Sequence, residues 1–242
     1  LEYMFIMMNA ARYAVGVQGI SVSERAYQKA TQYARDRVQS RPVDGSIKAS
    51  APIIHHPDVR RMLMTMRSVT QGCRAMATVA AAAYDAAHAH PDAGVRQQNQ
   101  AFYEFLVPLI KGYSTEMSLE VTSLGVQVHG GMGFIEETGA AQYYRDAKIL
   151  TIYEGTTAIQ SNDLVGRKTV RDGGQTPKAL AAQMQTTEKA LQALGTADAT
   201  AIAKRLSAGR QALLDVVDFM VQAGAQDPNA AYAGSVPYLM LA

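Results

Sequence analysis

Asp58-Val-Arg-Arg-Met-Leu-Met-Thr-Met-Arg-Ser-Val-Thr-Gln-Gly-Cys-Arg-Ala-Met76 sets Met62, Met66, Val69, Cys73 and Met76 three or four residues apart, and Ala80 extends the row. That spacing is one face of an α-helix. Pro57 suits a first helical turn, and Asp58 is favourable to the dipole there. A helix is therefore expected over about 57–90, its Ala80–Ala83 run marking tight helix packing. Methionine rows fill cores pliantly, and Cys73 falls on this one.

Working outward, Ile6, Ala10, Tyr13, Val17, Ile20 and Ala26 predict a helix over about 3–37, where Gly16 and Gly19 permit close approach of a neighbour. Tyr103, Leu106, Ile110, Met117, Val121, Leu124 and Val128 predict another over about 95–128, kinked at Pro108. Between the first two, Arg41-Pro42, Asp44-Gly45 and Ala51-Pro52 make residues 38–56 a long loop, a length that often carries function. No period-two run appears. The fold class is all-α: three long helices and the helix after Glu154 form an antiparallel four-helix bundle, followed by additional helices. The bundle is placed at 1–170 and a linker at 171–178, around Arg171-Asp-Gly-Gly-Gln-Thr-Pro177. A helical module at 179–242 is marked by Met184, Leu191 and Leu194, then Leu206, Leu213, Val216 and Met220. The closing Tyr238-Leu-Met-Leu-Ala242 reads as if cut inside a helix, and Leu1 as if inside a longer chain.

Composition excludes several classes of function. The 242 residues are 48% hydrophobic, which argues against disorder, and a net charge of +2 with scattered cations leaves no nucleic-acid footprint. Cys73 is the lone cysteine, so there is no intramolecular disulfide and no cysteine zinc site, which fits a cytoplasmic protein. No apolar run reaches the ~18 residues of a membrane span. His55 and His56 are adjacent and cannot share a helix face, and no third ligand sits at metal spacing, so no metal is expected.

The chemistry-bearing stretch is Asp146-Ala-Lys-Ile-Leu-Thr-Ile-Tyr-Glu-Gly-Thr-Thr157. Glu154 stands where a helix breaks at Gly155, a placement that can turn a carboxylate into a cleft and make it a base. Upstream lie Val126-Gln-Val-His-Gly-Gly-Met-Gly-Phe134 and Tyr144-Arg-Asp-Ala-Lys148. Gly130-Gly-Met-Gly133 reads as a glycine helix stop, and without a preceding strand it is no dinucleotide fingerprint. Arg145 and Asp146 read as a structural ion pair or cap.

These three motifs, in this order, resemble the C-terminal helical domain of acyl-CoA dehydrogenases, over about residues 1–170, and residues 179–242 look like the incomplete start of the extra C-terminal helical module of the larger members. The resemblance implies an FAD enzyme that desaturates acyl-CoA thioesters, and regions before this one, an N-terminal helical domain and a middle β-domain, that this chain does not include. It implies that Glu154 removes the α-proton while a hydride leaves the β-carbon for the flavin N5. The Glu154 N–H and a ribityl hydroxyl would hold the enolate oxygen. The resemblance assigns Arg37 to the flavin pyrophosphate of a partner subunit and Gln39 to cofactor binding, although Val38-Gln39-Ser40-Arg41 departs from the usual Lys-Thr-Phe-Gly. It assigns Gln127, Gly130 and Gly131 to the adenosine-phosphate end, and Thr156 and Ala158 to the flavin. It assigns Asn9, Arg12 and Gly155 to the acyl-CoA side. Ala11 stands where some members carry their base, which leaves Glu154 as the candidate. The implied partners are a second or further copies, as homodimer or homotetramer, and an electron-transfer flavoprotein as acceptor. The alternatives are an acyl-CoA oxidase or other flavin-bound relative, and a non-catalytic helical scaffold. Alone, without the β-domain, the chain is expected to be inactive.

Overall fold

The computed structural model describes residues 2–242, the side chains of residues 2, 3, 5 and 6 excepted, so Leu1 and the Ile6 side chain lie outside the described residues. The described residues form helices and turns without a strand. They divide into two compact units, residues 1–79 with 110–156 and residues 80–109 with 157–242.

In the first unit, α1 (Glu2–Asp36) leads through a one-turn 3-10 helix (Ile53–His55) to α2 (Pro57–Ala89). After α3 (Ala93–His129) come the four-residue α4 (Gly131–Phe134), a second 3-10 turn (Glu136–Thr138) and α5 (Ala140–Leu150). The units share α2 and α3, and the division of α3 falls just after Pro108, through which the helix runs on.

Contacts along α1 give the directions of its neighbours. On α2, the Tyr13 hydroxyl donates to the Ala77 carbonyl at 3.0 Å, and Arg74 pairs with Glu24 at 2.8 Å, so the two helices are antiparallel. Gly16 lies against Ile110 and Gly19 against Ser114, so α3 runs parallel to α1. On α5, Tyr143 meets Arg25 and Gly139 meets Lys29, which makes α5 antiparallel to α1. The directions alternate along the chain as an antiparallel four-helix bundle requires. Its fourth member is α5, before Glu154; the helix after Glu154 belongs to the second unit.

The buried side of α1 differs from the row read in the sequence. Ala10 and Val17 are exposed, whereas Arg12, Gly16, Gly19, Ser23, Ala26, Ala30 and Ala34 are buried. Small residues dominate because α3 approaches closely. A Cβ on Gly16 would lie 2.5 Å from the Ile110 Cγ2 and 2.6 Å from its carbonyl oxygen. Ala26, Ala30 and Ala34 join Met62, Leu63, Met66, Val121 and Val128 in one core cluster. The facing stretch of α3 is polar yet buried. Thr115, Ser118 and Thr122 are satisfied by donating hydroxyls back to carbonyls three or four residues earlier.

The second unit adds α6 (Thr157–Val165), a π turn (Gly166–Val170), α7 (Gln175–Ala193), α8 (Ala197–Gln226), α9 (Pro228–Ala233) and α10 (Ser235–Leu241). The apolar end of the chain packs: Tyr238 and Leu239 are buried, and the Tyr238 hydroxyl meets Thr169 Oγ1 at 2.9 Å. Arg210 and Glu188 form a largely buried pair at 2.6 Å between α8 and α7.

Candidate functional site

The loop after α1 is held as a short hairpin. Gln39 N–H donates to the Ala51 carbonyl at 3.0 Å, Ala51 N–H to Ser40 at 3.0 Å, and Ile53 N–H to Arg37 at 2.8 Å. His56 Nε2 lies 2.8 Å from the Gln39 carbonyl. This pairing explains the second histidine as a loop anchor, and no group of three metal-ligating side chains occurs among the described residues. The hairpin root thereby comes to the end of α3. Arg37, Gln39, Gln127, His129, Gly130 and Gly131 line a cavity of about 500 Å³ together with Tyr33 and Met132.

Five residues that the resemblance assigns to the flavin dinucleotide therefore meet: Arg37, Gln39, Gln127, Gly130 and Gly131. Gly130 has φ +60°, ψ −140°, a conformation reserved for glycine, and it ends α3. A Cβ at either Gly130 or Gly131 would meet nothing within 4 Å, so this backbone is open to a ligand. A guanidinium, two primary amides and bare backbone suit phosphate and ribose oxygens. Gly133 serves packing instead, because its Cβ would lie 2.3 Å from the Val126 carbonyl oxygen.

His129, which the sequence reading passed over, is part of this lining. It is buried, stacks on Tyr33 at 4.3 Å between ring centroids, and its Nδ1–H donates to the Gly125 carbonyl at 2.7 Å. Burial pushes its pKa below the ordinary histidine value, a fall opposed by the Gly125 hydrogen bond and reinforced by nearby Lys29. The Tyr-His pair offers an aromatic wall.

The second group of assigned residues lies at the turn between α5 and α6. Glu154 has φ +53° and Gly155 φ +88°, two successive left-handed residues. Glycine adopts that conformation freely, whereas glutamate is strained in it. Glu154 and Thr156 are exposed and Gly155 is half-buried. The Tyr153 hydroxyl donates to Gln18 Oε1 on α1. On the other side, the Lys111 Nζ of α3 donates to the Gly155 carbonyl at 2.6 Å. Lys111 is 0% exposed. Burial brings its pKa down to about 8, with Arg12 pressing the same way and Glu116 and Glu154 opposing.

The structure thus gathers Arg12, Lys111, Glu116, Glu154 and Gly155 in one electrostatic neighbourhood. Arg12 is buried on α1, and Asn9, half-buried, lies one turn before it. Neither Thr156 nor Ala158 lines the cavity at Gln127, and Ala158 is exposed on α6, in the second unit. Arg145 does not pair with Asp146. It reaches Glu136 at 3.5 Å and Gln142 at 2.7 Å, while Asp146 accepts from Gln142.

A family model described as the acyl-CoA dehydrogenase C-terminal domain matches residues 1–168. The chain is 59% identical over 241 residues to the 3-methylmercaptopropionyl-CoA dehydrogenase of Ruegeria pomeroyi, covering 100% of the chain and 41% of that protein. It is 34% identical over 259 residues to the broad-specificity linear acyl-CoA dehydrogenase FadE5 of Mycobacterium tuberculosis, again covering 41% of the relative. The chain thus spans about two-fifths of the length of these relatives. Its fold recurs in an acyl-CoA dehydrogenase from Bacillus anthracis solved with FAD, with a TM-score of 0.67 and 22% identity over 98% of this chain and 40% of that one.

Proposed function

This chain belongs to the acyl-CoA dehydrogenase family, and from that premise we propose that it is the C-terminal part of an FAD-dependent enzyme desaturating acyl-CoA thioesters, with Glu154 as the base. The observation that carries the reading is the left-handed Glu154–Gly155 pair, braced through Tyr153 and Gly155 and presenting an exposed carboxylate. A glutamate held in a strained conformation by two long-range hydrogen bonds is costly for a mere surface residue.

In this reading the Glu154 carboxylate takes the α-proton, and its backbone N–H donates to the developing enolate oxygen. Gly155 leaves the acyl chain room beside the backbone, and Asn9 and Arg12 face the CoA side. Arg37 and Gln39 hold the pyrophosphate, Gln127, Gly130 and Gly131 the adenosine-phosphate end, and Thr156 and Ala158 the ring end. When bound, the flavin supplies the two-electron acceptor for the β-hydride. The substrate class is a short acyl-CoA, and 3-methylmercaptopropionyl-CoA is the first to test, given the 59% identity to an enzyme of that name. We further propose that the protein works as a homodimer or homotetramer and hands its electrons to an electron-transfer flavoprotein.

The test uses the protein that contains this chain, loaded with FAD. Glu154→Gln keeps the shape and cannot accept the proton. It should stay yellow, bind acyl-CoA, and reduce its flavin on mixing with substrate at least ~10³-fold more slowly. Reduction at near the wild-type rate would remove Glu154 as the base.

A further inference from the structure

We propose that Lys111 is a positioning residue for this reaction: its side chain pins the Gly155 carbonyl and so fixes the left-handed turn that aims Glu154. The inference rests on Glu154 as the base and adds the device that holds it in place.

Lys111 has no access to solvent, and its ammonium donates to a carbonyl 44 residues further along the chain. A buried ammonium is a poor way to fill space in a bundle, because an apolar side chain of the same volume does so without desolvating a charge. The short 2.6 Å bond to Gly155 is the return on that placement. Fixing this carbonyl fixes the plane of the peptide after Gly155. With Tyr153 tied to Gln18 on the other side, Glu154 is bracketed between two anchors, one on α1 and one on α3. The charged groups around Nζ are Arg12 from α1, Glu116 from α3 itself and Glu154 from the turn. The ammonium that holds the Gly155 carbonyl therefore also feels the base's own carboxylate.

The experiment compares Lys111→Met and Lys111→Arg with the wild type in the FAD-loaded protein that contains this chain. Amide hydrogen exchange is followed over residues 151–157, and single-turnover flavin reduction by acyl-CoA is measured beside the acyl-CoA Kd. Lys111→Met should exchange at least about tenfold faster across the turn, its local opening made easier. Its limiting rate of reduction should fall about 10- to 100-fold, the effect of a base misplaced by an ångström or so. Flavin content and Kd should stay within about threefold, since loss of aim enters the rate of chemistry and not uniform binding. Lys111→Arg keeps a charged donor and should recover part of the rate. Unchanged exchange, or a limiting rate within about twofold of wild type, overturns the proposal. If the methionine variant does not fold, Lys111→Leu, which likewise cannot donate, is judged by the same criteria. If Glu154→Gln reduces its flavin normally, the assignment of the base fails, and the exchange comparison still decides whether Lys111 holds the turn.

Discussion

Lys111 also leaves a thermodynamic trace, with a sign fixed by its pKa. Its pKa falls from 10.5 to about 8 on burial, so between those values the unfolded chain holds a proton that the folded chain has released. Stability should therefore rise with pH across that window and be lowest, as far as this group is concerned, below about 8. That fall corresponds to roughly 3 kcal/mol as an upper bound. Urea unfolding at pH 7.5 and pH 10 checks this when wild type is compared with Lys111→Met: the wild type should gain stability relative to the variant as pH rises, and a relative loss would contradict the burial argument. His129 moves the same way at lower pH. Its lowered pKa means the unfolded chain takes up a proton first as pH drops below ~6.5, and stability falls with it until the folded-state value is passed. At the cavity, Gly131 separates binding from folding. Its Cβ would enter open space, so Gly131→Val should change stability by no more than about 0.5–1 kcal/mol. In the whole protein it should weaken FAD binding by at least about tenfold in a fluorescence titration, since the added bulk fills the proposed cofactor's place.

At the scale of elements, the spacing of α1 and α3 depends on glycine more than on apolar area. The Gly16 Cβ would press on the backbone of Ile110, which cannot swing aside as a side-chain tip does. Gly16→Ala should cost about 1–3 kcal/mol through forced separation of the helices. Gly72 is the control. It lies inside α2, and its Cβ would meet nothing within 4 Å, so Gly72→Ala should stabilise by roughly 0.5–1 kcal/mol through helix propensity alone. Thermal melts of the two variants should shift in opposite directions; equal shifts would mean that helix propensity outweighs packing at both sites. In the second unit, the Arg210–Glu188 pair joins α8 to α7, with side chains 16% and 7% exposed. Removing one partner, as in Arg210→Met, leaves a carboxylate buried and should cost about 3–5 kcal/mol, far more than removal of an exposed ion pair.

For the molecule as a whole, two features bear on assembly. The turn after Gly130 exposes Met132, Phe134 and Ile135, with Phe134 82% accessible, and Met132 also lines the cavity. Large apolar side chains grouped on a surface favour association. The chain spans 41% of its curated relatives, and the turn at Glu154 leaves the carboxylate exposed. Purified by itself, the chain should be strongly helical by circular dichroism, associate at micromolar concentration in sedimentation, and be colourless and inactive toward acyl-CoA. A yellow preparation with one flavin per chain that produced enoyl-CoA would show that these residues alone complete the site. No helix among the described residues is long and apolar enough to cross a membrane.

What the sequence determined by itself was the set of long helices and the motifs they carry. Met62, Met66 and Cys73 recur at helical spacing because a helix repeats every 3.6 residues, and that local rule is written in the chain. Gly130 marked the end of α3 for the same local reason, whereas α5 stops at Leu150, ahead of the break read at Gly155. Tertiary structure decided which side of each helix is buried. Ala10 and Val17 belong to an apolar row yet face outward, while Arg12, Lys111, Ser114, Thr115 and Ser118 lie inside. A lysine in a helix reads as a solvated cation until a carbonyl 44 residues away gives its charge a partner. Likewise, nothing local to Arg37 or Gln127 foretells that they line one cavity. The hydrogen bonds of residues 37, 39 and 40 to 51 and 53, and the packing of α1 beside α3, bring them together. Such meetings depend on contacts between residues distant in sequence, whose energy comes from close packing and desolvation and leaves no periodic mark on either segment.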